Sequence, residues 1–420
     1  MHMIQVVFLT VLVFFVIVTI HEWGHYFFAK RAGILVREFA IGFGPKLFSL
    51  KRGETRYTLR LIPAGGFVRM AGEDPEIVDV QPGQTVAVRV KDNLVTRLYL
   101  DRLDERSGVI RGEVLSIDLE NKLSISLDIE GETESYSVHP QALMITKGKE
   151  TQIAPIDRQF GSKTVGQRAL AIFAGPMMNF ILAFVLFGVY IQMSGIPEHV
   201  LIKEVTPGMP AEQAKLQNSD VIDAINGQKI GADFGKMIDL IGQSVGVPVT
   251  LDIIRNGVVQ KVVLTPVADA EGVGKVGVTP MYQTRPATFV ETIKNSSLLM
   301  KNMTISIFDG FKKLILGQFK LDDLGGPVRT AEVTSQIAQQ GLDKLTSWTA
   351  LLSLYLGIFN LLPIPALDGS RLIFLGIEAI RRRPIDPNRE SMVHFVGFAL
   401  IMLLMLVVTY NDILRLVRGE

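Results

Sequence analysis

The stretch Val16-Ile17-Val18-Thr19-Ile20-His21-Glu22-Trp23-Gly24-His25-Tyr26-Phe27-Phe28 closes an apolar run that begins at Met3. Ionisable groups inside a run long enough to cross a bilayer decide how the rest of the chain is read. On a helix, His21 and His25 lie on one face, one turn apart. Two neutral imidazoles so placed can share one Zn2+. Glu22 is angled off that face and reaches a water on the metal without taking a coordination site. Zinc lowers the pKa of such a water, and a glutamate beside it is the base that accepts the proton. The bare pattern arises by chance in many chains. Here each ionisable group is expensive to insert into an apolar helix, and that expense argues for a metal site.

A catalytic zinc keeps three protein ligands and one open position. The chain of 420 residues has no cysteine, so disulfides are excluded and the ligands must be histidines and carboxylates. Three further uncharged runs are long enough to span: Ala169–Met193, Ser347–Leu367 and Met392–Tyr410. The second offers no ligand and the fourth only His394, which is expected at the membrane interface. The third ends in Asn360-Leu361-Leu362-Pro363-Ile364-Pro365-Ala366-Leu367-Asp368-Gly369-Ser370. Pro363 and Pro365 break the helix just before Asp368, and broken helices at membrane depth line cavities. Asp368 as a helix cap is the alternative; the ligand role completes the site and explains the break. Asn179, inside the second run, is expected to pack between helices rather than line a cavity.

Lys and Arg number 43 against 42 Asp and Glu, so no global charge points to nucleic acid. The first run lacks a basic leader and carries His21-Glu22 where a signal-peptide cleavage site would need small residues. Lys30, Arg31, Arg37 and Lys46 follow the first run, Arg158, Lys163 and Arg168 precede the second, and Arg371 and Arg381-Arg382-Arg383 connect the last two. The positive-inside rule then places residues 30–168 and 371–391 in the cytoplasm, and both termini and residues 194–346 outside. Arg415 and Arg418 argue mildly against an outer C-terminus.

Between the runs, residues 36–74 read as β structure turning at Lys51-Arg52-Gly53-Glu54. Gly42, Gly44, Gly65 and Gly66 flank it, marking sharp bends or close approach of another backbone; an ordinary juxtamembrane hairpin would serve as well. Short alternating runs such as Thr85–Val90 and Leu123–Ile129 indicate a small β-rich module without evident chemistry. Residues 287–319 are amphipathic, as an interfacial helix or helix pair, or a packed linker, would be. Residues 199–283, with Pro207-Gly208-Met209-Pro210-Ala211, Asp220-Val221-Ile222-Asp223-Ala224-Ile225-Asn226-Gly227 and a hairpin at Asn256-Gly257, resemble a circularly permuted PDZ domain. Lys215 and Ser219 stand where glycines are common in that pattern.

His21-Glu22-Trp23-Gly24-His25, Leu367-Asp368-Gly369 and a PDZ-like module between them together resemble the site-2 protease family, in its bacterial single-PDZ branch. The likeness extends through Ile41-Gly42-Phe43-Gly44-Pro45, Arg60–Val68 and Ala174-Gly175-Pro176-Met177-Met178-Asn179-Phe180. It implies an intramembrane zinc metalloprotease with His21, His25 and Asp368 as ligands and Glu22 catalytic. It implies that Asn360 and Pro363 help hold the substrate. The glycine-rich segment, Gly42–Gly66, would re-enter the membrane and pair with an unwound substrate strand. The PDZ-like domain would act as a size filter. Partners would be single-span membrane proteins such as anti-sigma factors, acting after a first cleavage, with remnant signal peptides as a further class. Ser370 and Arg329 depart from the family's usual glycines but touch no expected ligand. A catalytically silent scaffold would have no need to keep all four residues.

The expected fold is a polytopic α-helical membrane protein with four transmembrane helices in the cell membrane. Its parts are a first span (1–30), a membrane-associated β segment (31–74), a β-rich cytoplasmic module (75–168) and a second span (169–193). An extracytoplasmic PDZ-like α/β domain (199–283), amphipathic helices (287–319), a third span with the Leu-Asp-Gly motif (345–380) and a fourth span (392–410) follow.

Overall fold

The computed structural model describes residues 3–73, 80–318 and 325–418. The start of the 75–168 module and the end of the 287–319 segment lie outside the described residues. The chain divides into two compact units, Met1–Leu186 with Met300–Glu420, and Phe187–Leu299. The helices are α1 (Met3–Arg31), α2 (Val165–Ser194), α3 (Pro210–Gln213), α4 (Phe234–Gly242), α5 (Phe289–Ile315), α6 (Pro327–Gln340), α7 (Leu342–Asn360), α8 (Asp368–Arg381) and α9 (Pro387–Arg418). Among the described residues, α1, α2 and α9 are long and apolar enough to cross a membrane. The third expected span, Ser347–Leu367, differs: α7 stops at Asn360. Pro363 disfavours helical backbone at Leu362, and the chain turns through Leu361–Leu367, with Ala366 at φ +76°, before α8 begins at Asp368. The amphipathic segment is one helix, α5, not a pair.

In the first unit a long ribbon follows α1. Strands β1 (Val36–Arg52) and β2 (Thr55–Met70) pair antiparallel from Val36↔Met70 to Arg52↔Thr55 around a Gly53-Glu54 turn. The ribbon also folds back on itself. Glu38–Ile41 face Arg56–Leu59 in a second set of partners whose numbers rise together, so this seam runs parallel. Four stretches of chain thus lie side by side, and the tip returns to the root, where Thr55 Oγ1 donates to Val36 O at 2.7 Å. The fold-back occurs at Gly42 and Gly44, at φ +88° and +81°. A Cβ at Gly42 would lie 2.7 Å from Ile62 O. Arg60 braces the bend by donating to Gly44 O and Glu38 Oε1 at 3.1 and 3.2 Å. Phe43, Leu47, Phe48 and Leu50 beyond the bend are exposed, an apolar surface suited to lipid rather than water.

The β-rich module has strands 85–91, 94–99, 110–118, 124–129, 132–146 and 149–152. Parallel pairing of 94–99 with 132–146 closes the sheet into a small barrel, filled by Val86, Val88, Val114, Ile125 and Leu127. Another core, including Ala29, Ile34, Val68, Phe160, Ile172 and Leu375, joins α1, the ribbon root, α2 and α8.

The second unit holds a five-strand path in the order 258–264, 249–255, 221–225, 196–205, 278–285. Val200, Ile202, Ile222, Ile225, Leu251 and Ile253 fill its core. The hairpin turns on Asn256 and Gly257, both at positive φ, as a two-residue loop requires. Lys215 and Ser219 adopt φ +59° and +71°, so the left-handed geometry is kept without glycine.

Glu54, in the ribbon's turn, has its carboxyl held down at about 2, against 4.5, first by hydrogen bonding from Arg158 and despite partial burial. A folded value below the unfolded one means that ionisation contributes stability above about 4.5 and loses it as pH falls to about 2. Wild type should therefore exceed Glu54→Gln in thermal midpoint by a constant margin near neutrality. That margin should close as scans move from pH 4.5 towards 2.

Candidate metal centre

His21 and His25 face the same side of α1 and are buried, as is Glu22. Asp368 opens α8, and its Oδ2 lies 3.4 Å from each Nε2. The two Nε2 atoms are 3.2 Å apart. A tetrahedral zinc with arms of about 2.0–2.1 Å has ligand–ligand edges of about 3.3–3.4 Å. The three atoms therefore already outline one face of such a tetrahedron.

The electrostatics suit a cation there. His25 Nδ1 is 2.9 Å from Ala171 O, an acceptor only, so Nδ1 carries the hydrogen. In the neutral imidazole Nε2 then presents a lone pair to a carboxylate oxygen that is itself buried without a hydrogen-bond partner. Leaving such an oxygen unpaired costs about 1–3 kcal/mol, and more when it is charged. A divalent metal at the centre of the three atoms removes that cost, so the donor set fits zinc.

The surroundings hold the two imidazoles in place. Asn179 is wholly buried, with its side-chain Nδ2 3.2 Å from His21 Nδ1, and its backbone carbonyl accepts from Ser353 Oγ at 2.9 Å. With Nε2 on a metal, His21 Nδ1 carries the hydrogen and the amide oxygen is the group to receive it. Asn179, expected to serve packing, does contact α7, and its side chain also meets the His21 ring. A signal was present: Gly175 and Asn179 are one turn apart on one face of α2. A Cβ on Gly175 would lie 2.2 Å from His25 Nε2, and one on Gly24 2.3 Å from Ala174 O. The absence of side chains lets α1 and α2 meet at the histidines.

Gly66, on β2, approaches from the other side: a Cβ there would lie 2.7 Å from Glu22 Cγ. A Cβ on Gly65 would strike Phe43 at 2.4 Å. The four glycines thus separate into a pair at the ribbon bend, Gly42 and Gly44, and a pair beyond it, of which Gly66 touches Glu22. Asn360 closes α7 half-buried, and Pro363 is exposed in the connection to α8. His394, expected at the membrane interface, accepts from Ala366 N at 3.1 Å through Nδ1. It steadies the connection that carries Asp368.

Asp368→Ala should lower zinc content, and Gly175→Ala should do the same by filling the metal's space. Gly66→Ala should keep zinc while cleavage falls. Elemental analysis of purified protein, paired with an activity assay, separates these outcomes.

Residues 9–404 match the model of peptidase family M50. A zinc metalloprotease RasP of Oceanobacillus iheyensis is 43% identical over 97% of this chain and 98% of its own. The regulator of sigma-W protease RasP of Bacillus subtilis is 41% identical over 97% of each chain. A probable protease eep of Enterococcus faecalis is 38% identical over 96% of this chain and 98% of its own. Among solved structures, the PDZ domain of an SdrC-like protein from Listeria innocua aligns with 20% of this chain and 97% of its own, at 23% identity and a TM-score of 0.19. The chain belongs to peptidase family M50 and is a zinc metalloprotease of the site-2 type, embedded in the membrane.

Proposed function

We propose that this protease hydrolyses peptide bonds within the transmembrane segments of single-span membrane proteins, with the active site near the cytoplasmic face. The observation that carries this reading is that His21, Glu22 and His25 lie inside α1, a helix of spanning length and apolarity. His21, His25 and Asp368 would hold the metal. When bound, zinc supplies Lewis acidity for water and for the scissile carbonyl. Glu22 is the proton carrier: its carboxylate oxygen takes a proton from the attacking water and returns it to the leaving amide nitrogen as the C–N bond breaks. Asn179 and Ala171 keep the two imidazoles turned towards the metal.

A scissile bond in a membrane helix is already hydrogen-bonded, so the substrate must be unwound. Unwound backbone at membrane depth needs new partners. The ribbon offers sheet edges for strand addition, bent at Gly42 and Gly44 and held against Glu22 at Gly66. Asn360 and Pro363 would steady the substrate from the α7–α8 connection.

We further infer that the physiological substrate is an anti-sigma factor already trimmed by a first cleavage, with remnant signal peptides as a second class. The Bacillus subtilis relative, described as a regulator of sigma-W protease, supports this. The PDZ-like domain would lie outside the cell and exclude substrates with bulky outer domains. Basic flanks support an inner position for residues 30–168, and α7 with its broken end would complete a fourth crossing.

Glu22→Gln should retain zinc and abolish cleavage of an artificial single-span protein whose leucine–alanine helix is interrupted by Asn-Gly. Cleavage by the purified variant at the wild-type rate would sink the mechanism.

A further inference from the structure

The barrel of residues 80–152 has no part in the chemistry above, yet it holds the ribbon at its most distant point. Because the ribbon folds back, its tip at Gly53-Glu54 lies beside its root at Val36. The Glu54 carboxylate is gripped there. Oε1 accepts from Gln141 Nε2 at 3.2 Å and Gln152 Nε2 at 2.8 Å, both from the barrel's last strands. Arg158, in the segment leaving the barrel, donates to Oε1 and Oε2 at 2.5 and 2.8 Å. Lys30 Nζ, at the end of α1, is 3.9 Å from Oε2. A two-pronged Arg–carboxylate contact fixes direction as well as distance.

The same exit segment holds the root. Arg37 Nη2 donates to Gln152 O at 3.0 Å. Leu35 N donates to Arg158 O at 2.9 Å and Phe160 N to Ala71 O at 2.8 Å. Ile156 N returns to the barrel at Glu120 O, 2.9 Å away. One short segment therefore ties barrel, tip and root together. Between tip and root runs the parallel seam of Glu38–Ile41 with Arg56–Leu59, and Ile41 pairs on its other side with Gly66, which rests on Glu22.

We infer that the barrel is a clasp for the ribbon, and that Glu54 is a positioning residue through which it keeps the ribbon folded back with Gly66 seated on Glu22. The clasp explains why a module without chemistry is inserted directly after the ribbon. Its bearing on catalysis rests on the reading that the ribbon receives the substrate; its bearing on ribbon order does not.

The test uses full-length protein in detergent, with Glu54→Ala, Glu54→Gln, Arg158→Ala and the double variant Glu54→Ala/Arg158→Ala. Hydrogen exchange at residues 38–41 and 56–59 should rise about tenfold or more in Glu54→Ala, the scale expected for a lost bond to a charged group. Arg158→Ala should do likewise, and the double variant should be little worse than either single one. Glu54→Gln, which keeps an acceptor for the two glutamines, should fall between. Zinc content should stay at the wild-type level. For the artificial single-span probe, KM should rise several-fold with kcat little changed. Unchanged seam exchange in Glu54→Ala overturns the clasp, as does additivity of the two single variants. A loosened seam with unaltered KM upholds the clasp and counts instead against the ribbon as substrate platform. If Glu54→Ala loosens the barrel strands 85–129 as well, Glu54→Gln decides, and wild-type exchange at its seam overturns the clasp.

Discussion

The contact on which the rest depends is the meeting of α1 and α2 at Gly24 and Gly175. In lipid, apolar side chains gain nothing by leaving solvent for a neighbouring helix, so helices associate through close backbone approach and polar contacts. Here the approach is so close that a methyl group on Gly175 would lie 2.2 Å from His25 Nε2. Once the backbones touch, Ala171 O reaches His25 and the Asn179 amide reaches His21. Both imidazoles then have their outer nitrogens occupied and their inner ones aimed at one point. The geometry of the candidate zinc site is thus built from glycines as much as from histidines.

Asp368, the third candidate ligand, arrives by different physics. α8 shares an apolar core with its neighbours through Leu375, and charge adds register: Arg168 of α2 pairs with Glu378, and Arg371 pairs with Glu73 just past the ribbon. Partly buried ion pairs of this kind add little net stability, since desolvation offsets the attraction. They do penalise every register but one, because a slipped helix leaves unpaired charge. Asp368, one turn before Arg371, is carried by that registration. Gly397 of α9 lets the Pro365 backbone sit within contact, and His394 bonds Ala366. The broken end of α7 is therefore a supported connection rather than a loose one.

These differences in physics explain what could be read from the chain. A four-residue spacing on a helix is local, so His21, Glu22 and His25 were legible, and Asp368 followed from the scarcity of other ligands near the spans. The hairpin was legible because alternation and a Gly-containing turn are also local. Its fold-back was not, since the seam between Glu38–Ile41 and Arg56–Leu59 depends on two bends acting together. Barrel closure escaped for the same reason: strands 94–99 and 132–146 meet in parallel across intervening strands. The break before Asp368 is legible because Pro363 and Pro365 are local signals; apolar composition continues to Leu367, but the helix itself stops at Asn360. His394 and Asn179 looked like ordinary polar residues near or within apolar helices; their roles depend on neighbours distant in sequence.

The ribbon poses the remaining structural problem. A sheet edge meant for a substrate must stay unpaired, yet open edges are the least stable part of any sheet and invite non-specific pairing. Folding the ribbon back gives four adjacent stretches instead of two, which lowers the cost of leaving the outer ones free, since two strands alone are marginal. The fold-back creates its own demand, because Gly42 and Gly44 bend as easily one way as another. Something must select one bend. Arg60 does so locally, bridging Glu38 and Gly44. Glu54 does so at the far end, where a small displacement of the bend becomes the largest displacement of the tip. Anchoring the tip therefore controls the angle with the greatest leverage, and the barrel occupies the position from which that leverage is available.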